Sequence, residues 1–234
     1  MRRRHVLAAL AAACATPVLT RTAMAAITPN PMDALIVVDV QNCFLPGGSL
    51  AVKDGDAVVP VINALAPRFR TVIVTQDWHS EGHASFASAH PGKKVFDTVA
   101  MPYGQQVLWP DHCVQGTPGA DLSAGLRLPT AQLVLRKRFN PGVDSYSAFV
   151  EADGTTKTGL AGYLRERGIA RVFVVGLATD FCVAWTALDA RKAGFEAAVI
   201  EDACRGIDLA GSLAASWTQM KDAGVMRLQS AEIG

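Results

Sequence analysis

The sequence predicts an α/β fold: a three-layer sandwich around an open six-stranded parallel sheet. Two observations carry this. Six short apolar runs rich in β-branched residues punctuate the chain, at 34–40, 71–75, 133–135, 171–177, 197–200 and 225–228. They are nearly continuous in apolar character, the signature of strands buried on both faces between helix layers. Helical stretches around 57–66, 159–167, 180–193 and 209–222 separate most of them, so strand and helix alternate.

The first run, Ala-Leu-Ile-Val-Val-Asp-Val, opens the domain. The helix at 57–66 leads to the second, Thr-Val-Ile-Val-Thr. Residues 76–130 then read mostly as loop, rich in Gly, Pro, His, Asp and Trp. So long a segment without regular structure in a compact domain is usually functional, and it belongs over the carboxyl ends of the strands, where open α/β sheets bind ligands. In the third helical stretch Phe181, Ala184, Trp185 and Leu188 recur at i, i+3, i+4 and i+7. That spacing predicts the buried stripe, with Thr179 or Asp180 as cap and Gly194 as stop.

The first 25 residues differ from the rest. Arg2, Arg3 and Arg4 precede an apolar run over 6–19, which ends near Ala23-Met24-Ala25. This pattern predicts a signal peptide over 1–25, cut after Ala25, ahead of a single domain over 26–234. The paired arginines point to twin-arginine export, with an ordinary secretory signal as the alternative. The expected location is the periplasm or the medium. The run is shorter than the ~20 residues a span needs and holds Pro17, so no membrane attachment is expected after cleavage.

Half the residues are hydrophobic and 18% are charged, which supports a sizeable core and argues against disorder. The net charge of +1, with no basic tail, gives no footprint for nucleic acid. Cleavage would leave 18 Lys+Arg against 21 Asp+Glu, a net charge of −3. Four cysteines would remain, and an oxidising compartment permits a disulfide, but the spacing does not say whether Cys43, Cys113 or Cys204 pair. The state of oligomerisation is left open, a homo-oligomer included.

Three polar residues lie at or just past strand ends: Asp39, Lys137 and Cys182. A carboxylate inside so apolar a run must be paired or perturbed, whether as a cap, a structural ion pair or a reactive group. Lys137 alone would pass for a solvated strand end. Cys182 falls in the first helical turn after its strand, where a helix terminus favours a thiolate; an inert buried cysteine is the alternative. Together, carboxylate, ammonium and thiol make a complete set for acyl transfer. Histidines form a second constellation. Asp77, His79 and His112 offer one oxygen and two nitrogens, a donor set suited to one divalent ion, Zn or Fe or Mn. His83 could be a fourth ligand or a partner of the ligands. His90, beside Pro91-Gly92, reads as a loop residue.

Four segments then converge: Val38-Asp39-Val40-Gln41-Asn42, Asp77-Trp78-His79, Trp109-Pro110-Asp111-His112-Cys113-Val114-Gln115-Gly116-Thr117, and Gly176-Leu177-Ala178-Thr179-Asp180-Phe181-Cys182-Val183. With Lys137 and the later Asp144-Ser145-Tyr146-Ser147-Ala148-Phe149, they resemble the nicotinamidase/pyrazinamidase branch of the isochorismatase-like hydrolases. The resemblance runs in order from about Met32 to the C-terminus. It implies an amidase that converts nicotinamide to nicotinate and ammonia through a cysteine thioester. It places a triad on Asp39, Lys137 and Cys182 and a metal on Asp77, His79 and His112. It also implies a cis peptide between Leu177 and Ala178, with the N–H groups of Ala178 and Cys182 receiving the oxyanion. An aromatic substrate wants stacking partners, so Phe44 and Trp109 are expected around the ring, with Tyr146 nearby. Two positions depart from the family pattern: Cys43, where the family usually has an acid, and Ser80, where proline usually follows the histidine and whose change would loosen the ligand loop.

Three rivals remain. A related amide hydrolase acting on a carbamoyl or ureido substrate would keep the triad without the metal cluster. A catalytically idle binding protein would be expected to lose a triad member, and none is lost. An isochorismate-cleaving enzyme would need neither thiol nor metal.

Overall fold

A computed structural model describes residues 26–234; the leader expected at 1–25 lies outside the described residues. In chain order the elements are β1 (Asp33–Val38), α1 (Val58–Leu65), β2 (Thr71–Asp77), β3 (Thr98–Met101), β4 (Gly104–Val107) and β5 (Ala131–Lys137). They continue with α2 (Leu160–Glu166), β6 (Arg171–Leu177), α3 (Ala184–Lys192), β7 (Glu196–Arg205), α4 (Ser212–Asp222) and β8 (Met226–Leu228). All six predicted runs join one parallel sheet in the order β5-β2-β1-β6-β7-β8.

The side-chain period of two divides each central strand between two cores. Leu35 and Val37 of β1 pack with Val72, Val74, Phe173 and Val175 on the face covered by α1, through Val58, Ile62 and Leu65. Ala34, Ile36 and Val38 pack with Ile73, Val172 and Val174 on the other face, under Leu160 and Leu164 of α2, Ala184, Ala187 and Ala190 of α3 and Met220 of α4. The predicted three layers are therefore present. Each large aliphatic side chain so buried contributes about 1.5–3 kcal/mol. The Arg171–Asp33 pair joins the starts of β6 and β1 with two hydrogen bonds of 2.9 and 2.8 Å. A partly exposed pair of this kind contributes at most about 1 kcal/mol, so packing holds β1 in the centre and the pair helps set its register.

The chain order runs outward from β1 to β2 and β5, then restarts at β6 and runs outward the other way. The strand order thus reverses between β1 and β6, the place where open parallel sheets form a crevice at the strands' carboxyl ends. The two strands approach closely: Gly176 (φ +114°) lies so near β1 that an added Cβ would stand 2.1 Å from the Val38 carbonyl oxygen.

Three expectations need correction. The segment 76–130 is not wholly loop, because β3 and β4 form an antiparallel hairpin within it. Its alternation is too short and too polar to announce itself. β5 is not buried on both faces; it is the sheet edge, and its residues alternate between partly buried and exposed. The stripe Phe181–Ala184–Trp185–Leu188 is not the buried face of its helix. A π-helical turn at Thr179–Val183 inserts an extra residue before α3 and rotates the helix. Ala184, Ala187 and Ala190 then face the core, while Trp185 is 44% exposed and stacks on Tyr146 at 6.3 Å.

Candidate active site

Four strand ends deliver the site. Asp39 follows β1, Asp77 ends β2, Lys137 ends β5, and Cys182 lies in the π-helical turn after β6. Three residues here hold a left-handed backbone without being glycine: Asp39 (φ 48°), Cys113 (φ 46°) and Arg138 (φ 63°). Such conformations persist only where surrounding contacts over-determine them.

Asp39, Lys137 and Cys182 do meet. Lys137 donates from Nζ to Asp39 Oδ2 at 2.7 Å, to Asp77 Oδ1, and to Cys182 Sγ at 3.7 Å. The carboxylate oxygens of Asp39 and Asp77 and the sulfur of Cys182 lie within 4.8 Å of one another. Thr75 Oγ1 donates to Asp39 Oδ1 at 2.5 Å and accepts from the Asp39 N–H at 3.2 Å. All of these residues are buried.

Burial decides the protonation pattern. It alone would lower the Lys137 pKa, but Asp39 and Asp77 more than offset it, so the ammonium is retained. Burial, with Asp77 adding to it, raises the Asp39 carboxyl. Burial presses on Asp77 in the same sense, yet Arg138, Lys137 and His112 overcome it and hold Asp77 low. The two carboxylates share Lys137, and only Asp77 also has a guanidinium, so Asp39 is the one disposed to accept a proton. Burial also pushes the Cys182 thiol well above its usual range, against the pull of Lys137. Burial therefore works against the thiolate that a helix terminus would favour, and desolvation outweighs the nearby ammonium. The expected cap fails as well. Asp180 accepts instead from the N–H groups of Ile207 and Asp208 at 2.9 and 2.8 Å, tying the turn to the loop after β7.

Asp77, His79 and His112 form a second buried group whose donor atoms lie within 4.8 Å of one another. Asp77 Oδ2 and His79 Nδ1 are buried without a hydrogen-bond partner among the described residues. His112 donates through Nδ1–H to the Pro110 carbonyl at 2.7 Å, which leaves Nε2 with its lone pair, 3.9 Å from Asp77 Oδ2. Burial, aided by Arg138, keeps His112 neutral by pulling its pKa down to about 4. Burial likewise lowers His79 far below its usual range. A carboxylate with a free oxygen beside two neutral imidazoles fits a divalent ion. His83 does not fit as a fourth ligand. Its Nδ1 is 2.8 Å from Ser85 Oγ and its Nε2 2.9 Å from the Asn140 carbonyl, and its ring packs against the edge of His79. Nor is the ligand loop loosened at Ser80: His79 bonds through N–H and carbonyl to Cys113 and Gln115 at 3.1 and 2.9 Å.

Phe44, Trp109, Tyr146, Ala178 and Cys182 line one hollow. Trp109 donates through Nε1 to the Tyr146 hydroxyl at 2.9 Å and meets Phe181 edge-on. The peptide between Leu177 and Ala178 is cis. Sequence reasoning assigned no role to four residues that build this site. Gln41 donates to the carbonyls of Asp77 and Ala120 and accepts from the Asp77 N–H, so it orients the end of β2. Thr75 grips Asp39. Asp144 and Arg138 form a buried pair at 3.0 Å. A polar residue inside or just beyond an apolar run, as at Thr75 and Gln41, was the available signal.

The region 33–232 matches the family model described as the isochorismatase domain. The nicotinamidase of Acinetobacter baylyi is 60% identical over 86% of this chain and 94% of its own. The chain belongs to the nicotinamidase branch of the isochorismatase family. Among solved members of the family, PnC1 from L. infantum in complex with nicotinate is 45% identical, with a TM-score of 0.79 over 89% of this chain and 98% of its own. The pyrazinamidase of Pyrococcus horikoshii in complex with zinc is 37% identical, with a TM-score of 0.70 over 85% and 99%.

On this family frame Cys43 and Cys113 form a disulfide, with Cα atoms 5.6 Å apart across 70 residues of sequence. It joins the segment before Phe44 to the one after His112. Opening it should lower stability by about 4 kcal/mol, the loop-closure entropy of a 70-residue ring. Denaturant unfolding of the wild type and of the Cys43→Ser, Cys113→Ser double variant would measure this, with intact-mass analysis to confirm the bond. Equal stabilities, or two free thiols in protein kept from reductant, would remove the staple from the account.

Proposed function

We propose that this chain hydrolyses nicotinamide, and also pyrazinamide, to the corresponding acid and ammonia through a thioester on Cys182. The observation that carries this reading is the approach of the Asp39 carboxylate and the Lys137 ammonium to the Cys182 sulfur at the edge of an aromatic hollow. The names of the relatives support it.

Asp39 takes the thiol proton as the sulfur attacks the carboxamide carbon. Lys137 steadies the charge that develops between them. The backbone N–H groups of Ala178 and Cys182 receive the oxyanion, at about 3–4 kcal/mol per donor in sites of this kind. Collapse breaks the C–N bond, and Asp39 returns its proton to the departing ammonia. Asp39 then takes a proton from water, which attacks the thioester, releases the acid and restores the thiol. Phe44 and Trp109 flank the ring, and Tyr146 holds Trp109 in place through its hydroxyl. Asp77, His79 and His112 would hold the divalent ion, which when bound supplies an electrophile for the ring nitrogen.

The same reading includes export. It is supported by the leader pattern and by a disulfide of a kind that persists in an oxidising compartment.

The deciding experiment is incubation of the purified chain with nicotinamide, followed by ammonia assay and mass analysis of the quenched protein. The expected result is ammonia release and a peptide containing Cys182 that carries one nicotinoyl group. Turnover with no adduct on that peptide would overturn the thioester. Absence of turnover on nicotinamide alongside turnover of a carbamoyl substrate would favour the ureido-type amidase instead.

A further inference from the structure

Arg138 is the largest cation at this site that the reaction does not use. Its guanidinium is buried and reaches five groups at once. Nε lies 3.1 Å from Asp77 Oδ1 and donates to the Ser145 carbonyl at 2.9 Å; Nη1 lies 3.0 Å from Asp144 Oδ1 and 3.2 Å from His79 Nε2; Nη2 lies 3.6 Å from Cys182 Sγ. It also stands over the Tyr146 ring at 4.8 Å. Two of these partners, Asp77 and His79, belong to the proposed ligand set.

The donor pattern is decisive. A guanidinium only donates, so His79 Nε2 must accept, and a neutral imidazole then carries its proton on Nδ1. A metal on Nδ1 would need that nitrogen's lone pair and would turn an Nε2–H toward Nη1, donor against donor. A metal on Nε2 would occupy the line that Nη1 now holds. Either way, the Arg138–His79 contact and metal ligation by His79 exclude one another, and a dication beside the guanidinium adds like-charge repulsion.

The same group also borders the hollow beside Cys182. Arg138 lines the hollow with Phe44, Trp109, Tyr146 and Cys182, and the hollow measures about 10 Å³. That is the space of about one water, not of a pyridine ring.

We propose that Arg138 is an internal cation that competes with the metal for His79, and that its displacement by the metal clears the hollow beside Cys182 for the substrate. Asp144 is the counter-ion left to the displaced guanidinium. Its place at φ 63°, a backbone region that favours glycine, makes Arg138→Gly a substitution the backbone accepts. The proposal rests on the metal reading above.

The test is titration of the purified wild type, Arg138→Gly and Arg138→Met with Co²⁺, followed by its visible absorption, with far-ultraviolet circular dichroism to confirm the fold. The methionine variant retains bulk without charge. Both variants should bind Co²⁺ at least tenfold more tightly than the wild type. In a second arm, nicotinamide quenching of tryptophan fluorescence is measured in a Cys182→Ala background with and without Co²⁺. With Arg138 present, quenching should require Co²⁺; with Arg138→Gly it should lose that requirement. Equal or weaker Co²⁺ binding by both folded variants would overturn the competition alone. No Co²⁺ binding by any of the three proteins would overturn the metal reading with it.

Discussion

Replacing Cys182 with alanine should abolish ammonia release from nicotinamide, lowering kcat by about five to six orders of magnitude. The loss is this large because no second nucleophile stands in the hollow. Cys204, the other unpaired cysteine among the described residues, is buried in the core, does not line the hollow, and has its thiol pushed up to about 12 by burial. The substitution removes only a sulfur from a buried position, so circular dichroism and the denaturation midpoint should change little. A residual rate within a hundredfold of the wild type, in protein shown by mass to carry the alanine, would refute the assignment.

Replacing Asp39 with asparagine should lower kcat by about 10³–10⁴ and leave nicotinamide binding within a few fold. Asparagine preserves the shape and can still accept from either Thr75 or Lys137, though not from both, and it cannot take the thiol proton. This matters here because burial pushes the thiol pKa up against the pull of Lys137. The pH dependence follows with a definite sign. Asp39 must be ionised to act as base, and its pKa is raised, by burial first and by Asp77 next. Activity should therefore fall as pH drops through a value above the ordinary carboxylate range, and the variant should lack that limb. A pH–rate profile of kcat/KM for both proteins would check it. An unchanged acid limb in the variant would move the base elsewhere. The substitution also leaves Lys137 paired with Asp77 alone, so some loss of stability is expected beside the loss of rate.

Much of this was legible beforehand. The central strands announced themselves because burial on both faces demands unbroken apolar runs, as in Ile36-Val37-Val38 and Val172-Phe173-Val174. Asp39 stood out for the same reason: a charge that interrupts such a run has to be accounted for. Asp77, His79 and His112 were visible as donor types at a strand end and in a returning loop. The hairpin of β3 and β4 was not, because two four-residue strands with mixed polarity carry almost no periodic signal. The stripe through Trp185 misled because a π-helical turn breaks the 3.6-residue count that the pattern assumes. The Cys43–Cys113 bond, separated by 70 residues, had no local mark at all.

Chemistry and periodicity are local properties, so the sequence by itself determined the fold class, the run of strands and helices, and which residue types could perform acyl transfer or hold a metal. Distance and solvation are not local. Only the tertiary structure decided that β1 and β6 lie side by side, that Lys137 bridges two carboxylates in unequal surroundings, and that burial opposes ionisation of the Cys182 thiol. It also decided that Arg138, which the sequence places just past a strand end, lines the hollow. The reason is common to all four: removal from water changes what a charge costs and whom it must pair with, and how far a group is removed from water is set by every element that packs around it.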